Sequence, residues 1–112
     1  MAVLPMFHIY GMTIVLLNSL YCGAKVVALP SFEPRSFLSA IQEERCTVLY
    51  LAPPIVNFLV KNPMVDEYDL SSVRDMMCGA APLSDELGTA VSQRVGALMR
   101  QVTWPLPLPL DV

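Results

Sequence analysis

A short loop of small residues, Gly79-Ala80-Ala81-Pro82, is the part of the sequence best suited to hold a ligand. An apolar run that ends at Cys78 precedes it and predicts a buried strand, and Ser84 follows as the N-cap of a helix. A flat ligand can lie against bare backbone at such a loop because its side chains are so small. In open α/β sheets, ligands bind at this edge. The alternative is a strand-to-helix turn whose small residues only permit close packing.

Two rings with polar tips, His8 and Tyr10, lie in a second loop that ends at Gly11. His8 is the chain's one histidine, and a histidine at a strand end can also be a hydrogen-bonded structural residue. The three cysteines have no C-x-x-C spacing, so with one histidine they offer too few ligands for a structural zinc site. We therefore predict no metal site, and cysteines that pack as small apolar side chains in a reducing compartment.

The elements that must position these loops alternate along the chain. Apolar runs predict strands at residues 2–7, 25–29, 47–52 and 73–78. Helical spacing and capping residues predict helices at residues 12–21, 37–45, 53–60 and 84–95. The aliphatic stem of Arg45 is expected on the apolar face of the second helix, and Gly96 is expected to end the fourth. Strand and helix in this order imply parallel strands joined by helical crossovers. The predicted fold class is α/β, a layer of parallel strands with covering helices.

The first charged residue of the chain is Lys25, so the helix at 12–21 is apolar on nearly every side. Such a helix is expected to be buried all round. The side chains predicted as core nearby are Met6, Phe7 and Met12. A small membrane protein anchored by residues 9–24 is the alternative, because the uncharged run is long enough to span a bilayer. Polar and helix-breaking residues interrupt this run, so membrane association is not expected.

The overall composition is unusually apolar for 112 residues, with 54% hydrophobic and 15% charged residues. A chain of this size has too little polar surface to cover itself, which indicates part of a larger core or a chain that depends on a partner. The net charge of −3 and the absence of a basic run argue against nucleic acid as a partner. Residues 102–112 contain a proline–leucine alternation at 105–110 and predict an unstructured tail, with a proline-rich docking segment as the alternative.

Five short motifs occur in an order and at a spacing typical of one enzyme family. They are Leu4–Gly11, Leu29–Glu33, Ala52–Val56, Tyr68–Arg74 and Gly79–Leu83. Over residues 2–101 the sequence resembles 4-coumarate:CoA ligase and its acyl-CoA synthetase and firefly luciferase relatives, the adenylate-forming, AMP-binding enzymes. The resemblance implies that residues 1–101 form part of the large N-terminal domain of such an enzyme.

The resemblance also implies a reaction and its site. A carboxylate attacks the α-phosphate of ATP, pyrophosphate leaves, and the thiolate of CoA then displaces AMP from the acyl-adenylate, with Mg²⁺ as the metal cofactor. His8 matches the catalytic residue beside the acyl carboxylate, and Tyr10 matches a residue of the acyl pocket. Gly79 and Ala80 match positions that contact both the acid and the nucleotide, and Ala81 and Pro82 match nucleotide-binding positions.

Other parts of the family pattern have no counterpart in the 112 residues. These are the phosphate loop ending in lysine, the Gly-Tyr-Gly-x-Thr-Glu segment and the lysine-bearing C-terminal lid. We therefore expect a fragment of an ATP-dependent acyl- or aryl-CoA ligase that is inactive alone and does not bind ATP, Mg²⁺ or CoA tightly. The rival hypothesis is a non-catalytic chain whose exposed apolar strands pair with a full-length synthetase or with chaperones, and association with the remaining enzyme domain is a further expected partnership. The expected location is intracellular, either cytoplasmic or peroxisomal. The sequence given does not end in Ser-Lys-Leu, so these residues do not support a peroxisomal address.

Overall fold

The computed structural model describes residues 1–101, so the Pro/Leu-rich tail lies outside the described residues. The first helix, α1, has a π-helical part, Tyr10–Leu17, and an α-helical turn, Asn18–Tyr21. The later elements are α2 Pro34–Glu43, β1 Val48–Leu51, α3 Pro53–Lys61, a 3₁₀ turn Pro63–Glu67, β2 Asp75–Cys78, α4 Asp85–Val95 and β3 Leu98–Gln101.

The three strands form one parallel sheet in the order β1-β2-β3. Leu51, Cys78 and Gln101 are register partners, so the carboxyl ends of the strands lie side by side at one edge. Helix α3 connects β1 to β2, and α4 connects β2 to β3. The predicted α/β fold with parallel strands and covering helices is confirmed.

Alternate residues of the strands enter two different hydrophobic clusters, because side chains of a strand point to opposite faces. Leu49 and Leu51 of β1 lie in the larger cluster, together with buried residues of α2, α3 and α4. Tyr50, between them, lies in a smaller cluster with Ala2, Tyr10 and Val15. Helix α1 therefore covers one face of the sheet, and the other three helices cover the opposite face.

The strand predicted for residues 25–29 is present only as an isolated parallel bridge between Ala2 and Ala28. Ala2 donates to the carbonyl of Val27, and Leu29 donates to that of Ala2. Two hydrogen bonds hold these segments together, but they do not continue as a ladder. The next hydrogen bonds of a parallel ladder would join Leu4 N–H to the carbonyl of Leu29 and Ser31 N–H to that of Leu4, and neither forms between these described segments.

Helix α1 is not buried all round, contrary to the prediction. Val15 faces the sheet, but Tyr21 is 92% exposed, and Phe7, before the helix, is 93% exposed. Met12 is also exposed, so the prediction that Phe7 and Met12 belong to the core is wrong. The physical reason is that the helix touches the sheet with one side, and no element between residues 1 and 101 covers its outer side. None of the helices described has both the length and the apolar composition needed to cross a membrane.

The ends of α2 and α4 show which local signals held. Ser84 caps α4 by accepting a hydrogen bond from Leu87 N at 3.3 Å, and Gly96 ends it with a left-handed φ of 76°, as predicted. Glu33 caps α2 by accepting from the backbone N–H groups of its first turn. Helix α2 ends before Arg45, which has a φ of 50° and is exposed, so the expected packing of its stem on the helix face is wrong.

Candidate functional site

A cleft of about 590 Å³ opens at the edge of the sheet where β1 and β2 end. It lies between the start of α1 and the loop that follows β2. The residues that line it are His8, Ile9, Tyr10, Thr13, Ile14, Gly79 and Ala80. Two segments that are about 70 residues apart in the sequence thus meet at the position where parallel sheets bind ligands.

Tyr10 joins the two walls of this cleft. Its side chain is buried, and its hydroxyl donates to the carbonyl oxygen of Met77 at 3.0 Å, with that of Leu51 at 3.4 Å. Its ring also packs edge-on against Tyr50, with 6.5 Å between the ring centroids. Burial, with a smaller contribution from nearby Cys78, raises the pKa of the Tyr10 phenol well above its usual range. The hydroxyl therefore stays protonated and hydrogen-bonded to the strand ends. The ring is then the part of Tyr10 that is available to a ligand in the cleft.

Gly79 is the position where this ring needs space. A Cβ built on Gly79 would lie 3.0 Å from Cε1 and 3.1 Å from Cζ of Tyr10, closer than ordinary carbon contacts. Its backbone N–H donates to the carbonyl of Leu51 at 3.1 Å, which continues the pairing of β1 and β2 into the loop. The absence of a side chain at residue 79 thus lets the ring and the loop lie against each other.

Ala80 has a left-handed backbone conformation, with a φ of 74°. An alanine there costs about 1–2 kcal/mol relative to the right-handed region, because its Cβ crowds the backbone. Ala80 is exposed at the rim of the cleft. Strained residues of this kind concentrate at ligand sites, where the surrounding structure holds them in place.

His8 is exposed at the mouth of the cleft, and its orientation is set by a local hydrogen bond. Its Nδ1 accepts from the backbone N–H of Tyr10 at 3.1 Å. Because an accepting Nδ1 carries no proton, the neutral ring holds its proton on Nε2. Gly11 allows this tight loop, since a Cβ there would lie 2.2 Å from the carbonyl oxygen of Pro5. His8 therefore presents one N–H donor at a largely apolar cleft.

The electrostatic character of the cleft follows from its lining. It contains no Asp, Glu, Lys or Arg, and its polar side chains besides Tyr10 are His8 and Thr13. Such a wall suits an apolar group with a polar end, but it carries no fixed positive charge to bind phosphates. Residues 1–101 also contain no group of three or more His, Cys, Asp and Glu side chains that could hold a metal ion. The described residues therefore do not fit Mg²⁺ at this cleft.

Four of the six predicted site residues meet in this cleft: His8, Tyr10, Gly79 and Ala80. The other two, Ala81 and Pro82, are exposed beyond Ala80 and do not line it. The roles assigned to all six in acid or nucleotide binding stay predictions.

Three lining residues, Ile9, Thr13 and Ile14, were missed by sequence reasoning. The prediction started the helix at residue 12, whereas the structure starts it at Tyr10. In a π-helix, residues four and five positions apart lie on nearly the same side, so Thr13 and Ile14 follow Ile9, the N-cap, along the side that faces the cleft. The relevant signal was therefore helical spacing counted from Ile9.

Comparison with known proteins identifies the family. The family model for the AMP-binding enzymes matches residues 1–105, nearly the whole chain. The chain belongs to the AMP-binding enzyme family. This membership confirms the resemblance described above, and it also confirms the identification of the fold with the N-terminal domains of adenylate-forming enzymes.

Relatives of this AMP-binding chain are several times longer. The 4-coumarate–CoA ligase 3 of Arabidopsis thaliana is 50% identical over 95 residues, which are 85% of this chain and 17% of that protein. A natural red-emitting luciferase from Phrixothrix hirtus is 34% identical with a TM-score of 0.80, over 86% of this chain and 18% of the luciferase. The inhibitor-bound N-terminal domain of FACL13 from Mycobacterium tuberculosis is 28% identical with a TM-score of 0.79, over 92% of this chain and 25% of that domain.

Proposed function

We propose that this chain forms part of an ATP-dependent acid–thiol ligase that activates a carboxylic acid as its acyl-adenylate and transfers the acyl group to CoA. The observation that carries the proposal is the cleft that brings His8 and Tyr10 together with Gly79 and Ala80 in a member of the AMP-binding family. The chain spans 17% of the length of its 4-coumarate–CoA ligase relative from Arabidopsis thaliana, so the whole reaction is proposed for the longer enzyme.

The acid is proposed to bind with its carboxylate at His8 and its apolar part along the ring of Tyr10 and the side chain of Ile14. The Nε2–H of His8 donates to a carboxylate oxygen, which orients the nucleophile before it attacks the α-phosphorus of ATP. Tyr10 supplies an apolar wall because its hydroxyl is already bound to the backbone. The substrate class that fits is a carboxylic acid with an apolar acyl group.

The nucleotide is proposed to lie against the loop Gly79-Ala80-Ala81-Pro82, whose small side chains leave the backbone open to a flat base. Attack by the carboxylate forms the bond from oxygen to the α-phosphorus and releases pyrophosphate. The CoA thiolate then forms the bond from sulfur to the acyl carbon and releases AMP. The cleft has no lysine or arginine for the phosphates, and removing even one such transition-state donor typically costs about 10²–10³-fold in rate. We therefore propose that the 112 residues alone have no ligase activity.

The site assignment can be tested by titrating the ¹⁵N-labelled chain with 4-coumarate and separately with AMP, monitored by amide chemical shifts. We expect 4-coumarate to shift resonances of His8, Tyr10 and Gly79, and AMP to shift those of residues 79–82. The His8→Ala variant should lose the response to the acid and keep that to AMP. Shifts at distant residues only, or no shift at millimolar ligand, would refute the proposed site. Release of pyrophosphate above the His8→Ala background would refute the proposed inactivity.

A second proposal is that the chain associates with the remaining part of such an enzyme. The exposed apolar side chains of α1, among them Leu17, Leu20 and Tyr21, support it, since large exposed apolar patches mark interaction surfaces. Co-purification of the tagged chain with a separately expressed remainder of a ligase tests this idea. The Leu20→Lys variant should recover less of the ligase remainder than the wild-type chain does. Equal recovery by the wild type and the variant would count against the proposed association.

A further inference from the structure

The hydroxyl of Tyr10 is bound to backbone carbonyls of the sheet, although Tyr10 also lines the cleft. We propose that Tyr10 is a positioning residue, which ties the loop 8–10 to the ends of β1 and β2 and thereby holds the imidazole of His8 with its Nε2–H directed to the cleft. The catalytic meaning of this arrangement rests on the proposed function, but the positioning itself concerns only residues of this chain.

The first step of the argument is the bond between the loop and the sheet. The hydroxyl of Tyr10 is 3.0 Å from the carbonyl oxygen of Met77 and 3.4 Å from that of Leu51, one acceptor from each of two adjacent strands. Tyr10 is buried on the α1 side of the sheet, and its bond to Met77 is partly buried. A phenol in this position fixes its own backbone relative to both strand ends, because its ring is also held by the Tyr50 ring and by Gly79.

The second step is the bond between Tyr10 and His8. The backbone N–H of Tyr10 donates to Nδ1 of His8 at 3.1 Å, and this is the one hydrogen bond that the imidazole makes within residues 1–101. An exposed side chain held by one bond takes its orientation from the donor of that bond. Moving the backbone of residue 10 therefore moves the ring of His8 or releases it.

The third step concerns the other groups around His8. The residues that share the cleft with it are apolar apart from Thr13 and the occupied hydroxyl of Tyr10, so no charged side chain of the lining competes for the imidazole. The link from the strand ends through Tyr10 to His8 is thus the structural device that sets the direction of the Nε2–H.

Nuclear magnetic resonance can read this link directly, because His8 is the chain's one histidine. The measurement is the scalar coupling across the hydrogen bond between the amide nitrogen of Tyr10 and Nδ1 of His8, on the ¹⁵N-labelled full chain at a pH of about 8, where an ordinary imidazole is neutral. Tyr10→Phe removes the hydroxyl and keeps the ring. Tyr50→Phe is the matched control, because Tyr50 is equally buried and its hydroxyl has no hydrogen-bond partner in the described part of the chain.

We expect the coupling in the wild-type chain and in Tyr50→Phe, and its loss in Tyr10→Phe together with faster exchange of the residue 10 amide. An unchanged coupling in a folded Tyr10→Phe chain, or no coupling in the wild type, would overturn the proposal. Should Tyr10→Phe fail to fold, Gly79→Ala probes the same link by pushing on the ring, and it should also lose the coupling. Failure of both variants to fold would assign Tyr10 to stability alone and would likewise overturn the proposal.

Binding of 4-coumarate separates this inference from the proposed function. Tyr10→Phe should bind the acid about fivefold more weakly than the wild type, because His8 is no longer held in position to donate to the carboxylate. A fivefold loss corresponds to roughly 1 kcal/mol, the net contribution of one hydrogen bond. Tyr50→Phe should bind it as the wild type does. If no chain binds the acid while the coupling behaves as expected, the proposed function fails and the positioning of His8 stands. If the acid binds equally to all three chains, the proposed function stands and the catalytic part of this inference fails.

Discussion

Replacing Gly79 by alanine is expected to destabilise the folded chain by about 1–3 kcal/mol, because the new Cβ overlaps the ring of Tyr10. The Cβ would lie 3.0 Å from Cε1 and 3.1 Å from Cζ, whereas ordinary contacts between carbons are about 3.5–4.0 Å. The ring must therefore move by roughly 0.5 Å. A shift of that size away from Met77 stretches the hydroxyl bond, now 3.0 Å, beyond the usual O–H···O range, which ends at about 3.0 Å.

The effect is expected to be steric alone. Gly79 does not have a positive φ, which among the glycines occurs at Gly23 and Gly96. Alanine at residue 79 therefore adds no backbone strain. Gly88→Ala is the matched control, since its Cβ would have its nearest contact at 3.7 Å and alanine favours the helix by about 0.5–1 kcal/mol. This control should be neutral or slightly stabilising.

Urea unfolding followed by far-ultraviolet circular dichroism measures the free energy of unfolding of both variants. The comparison holds provided that the dependence of this free energy on urea concentration is unchanged. A double-mutant cycle with Tyr10→Phe tests the mechanism, because a ring without its hydroxyl is free to move aside. Alanine at residue 79 should then cost about 1 kcal/mol less than in the wild-type background. The reasoning is refuted if Gly79→Ala is as harmless as Gly88→Ala, or if its cost does not depend on the hydroxyl of Tyr10.

Three further predictions concern other parts of the fold. The guanidinium of Arg94 donates to the carbonyls at the end of α3, so Arg94→Ala should lower the free energy of unfolding in urea by about 2–3 kcal/mol. Arg100→Ala, which removes an exposed ion pair, should cost under about 1 kcal/mol, and equal losses would contradict this account. Burial raises the pKa of Tyr10, so the folded chain holds the phenolic proton more tightly than the unfolded chain does. Its contribution is complete below about pH 10, the ordinary tyrosine value, and is lost as the pH rises through the higher folded value. Unfolding measured across alkaline pH should show this loss in the wild type and less of it in Tyr10→Phe, and identical profiles would refute the assignment. In Gly11→Ala the Cβ would lie 2.2 Å from the carbonyl oxygen of Pro5, so thermal unfolding should reveal a loss of about 3 kcal/mol, which an unchanged melting temperature would disprove.

Local signals predicted much of the fold, because they depend on residues close in the sequence. The N-cap at Ser84 and the left-handed end at Gly96 were predicted and are present. The segments around β1 and β2 were predicted as strands from their apolar runs, although the observed strands, Val48–Leu51 and Asp75–Cys78, are shorter. Strand ends depend on partners, and those partners lie far away in the sequence.

The outer face of α1 shows where sequence reasoning failed. Apolar residues on every side of a helix predict burial, yet Leu20 and Tyr21 are exposed. Burial depends on whether another element covers the helix, and hydrophobicity alone supplies no such element. The strand predicted for residues 25–29 fails for a similar reason, because a strand needs a partner that its own sequence does not supply. Here the segment forms one bridge, between Ala28 and Ala2, instead of a ladder.

The sequence by itself determined the alternation of strands and helices, the small-residue loop at residues 79–82 and the family to which the chain belongs. Only the tertiary structure decided that the ring of Tyr10 fills the space left open at Gly79, and that its hydroxyl is bound to Met77 rather than free in the cleft. It also decided that Thr13 and Ile14 join the site. The physical reason is that motifs record local backbone requirements, whereas the direction of a side chain depends on which distant groups the folded chain brings within a few ångströms.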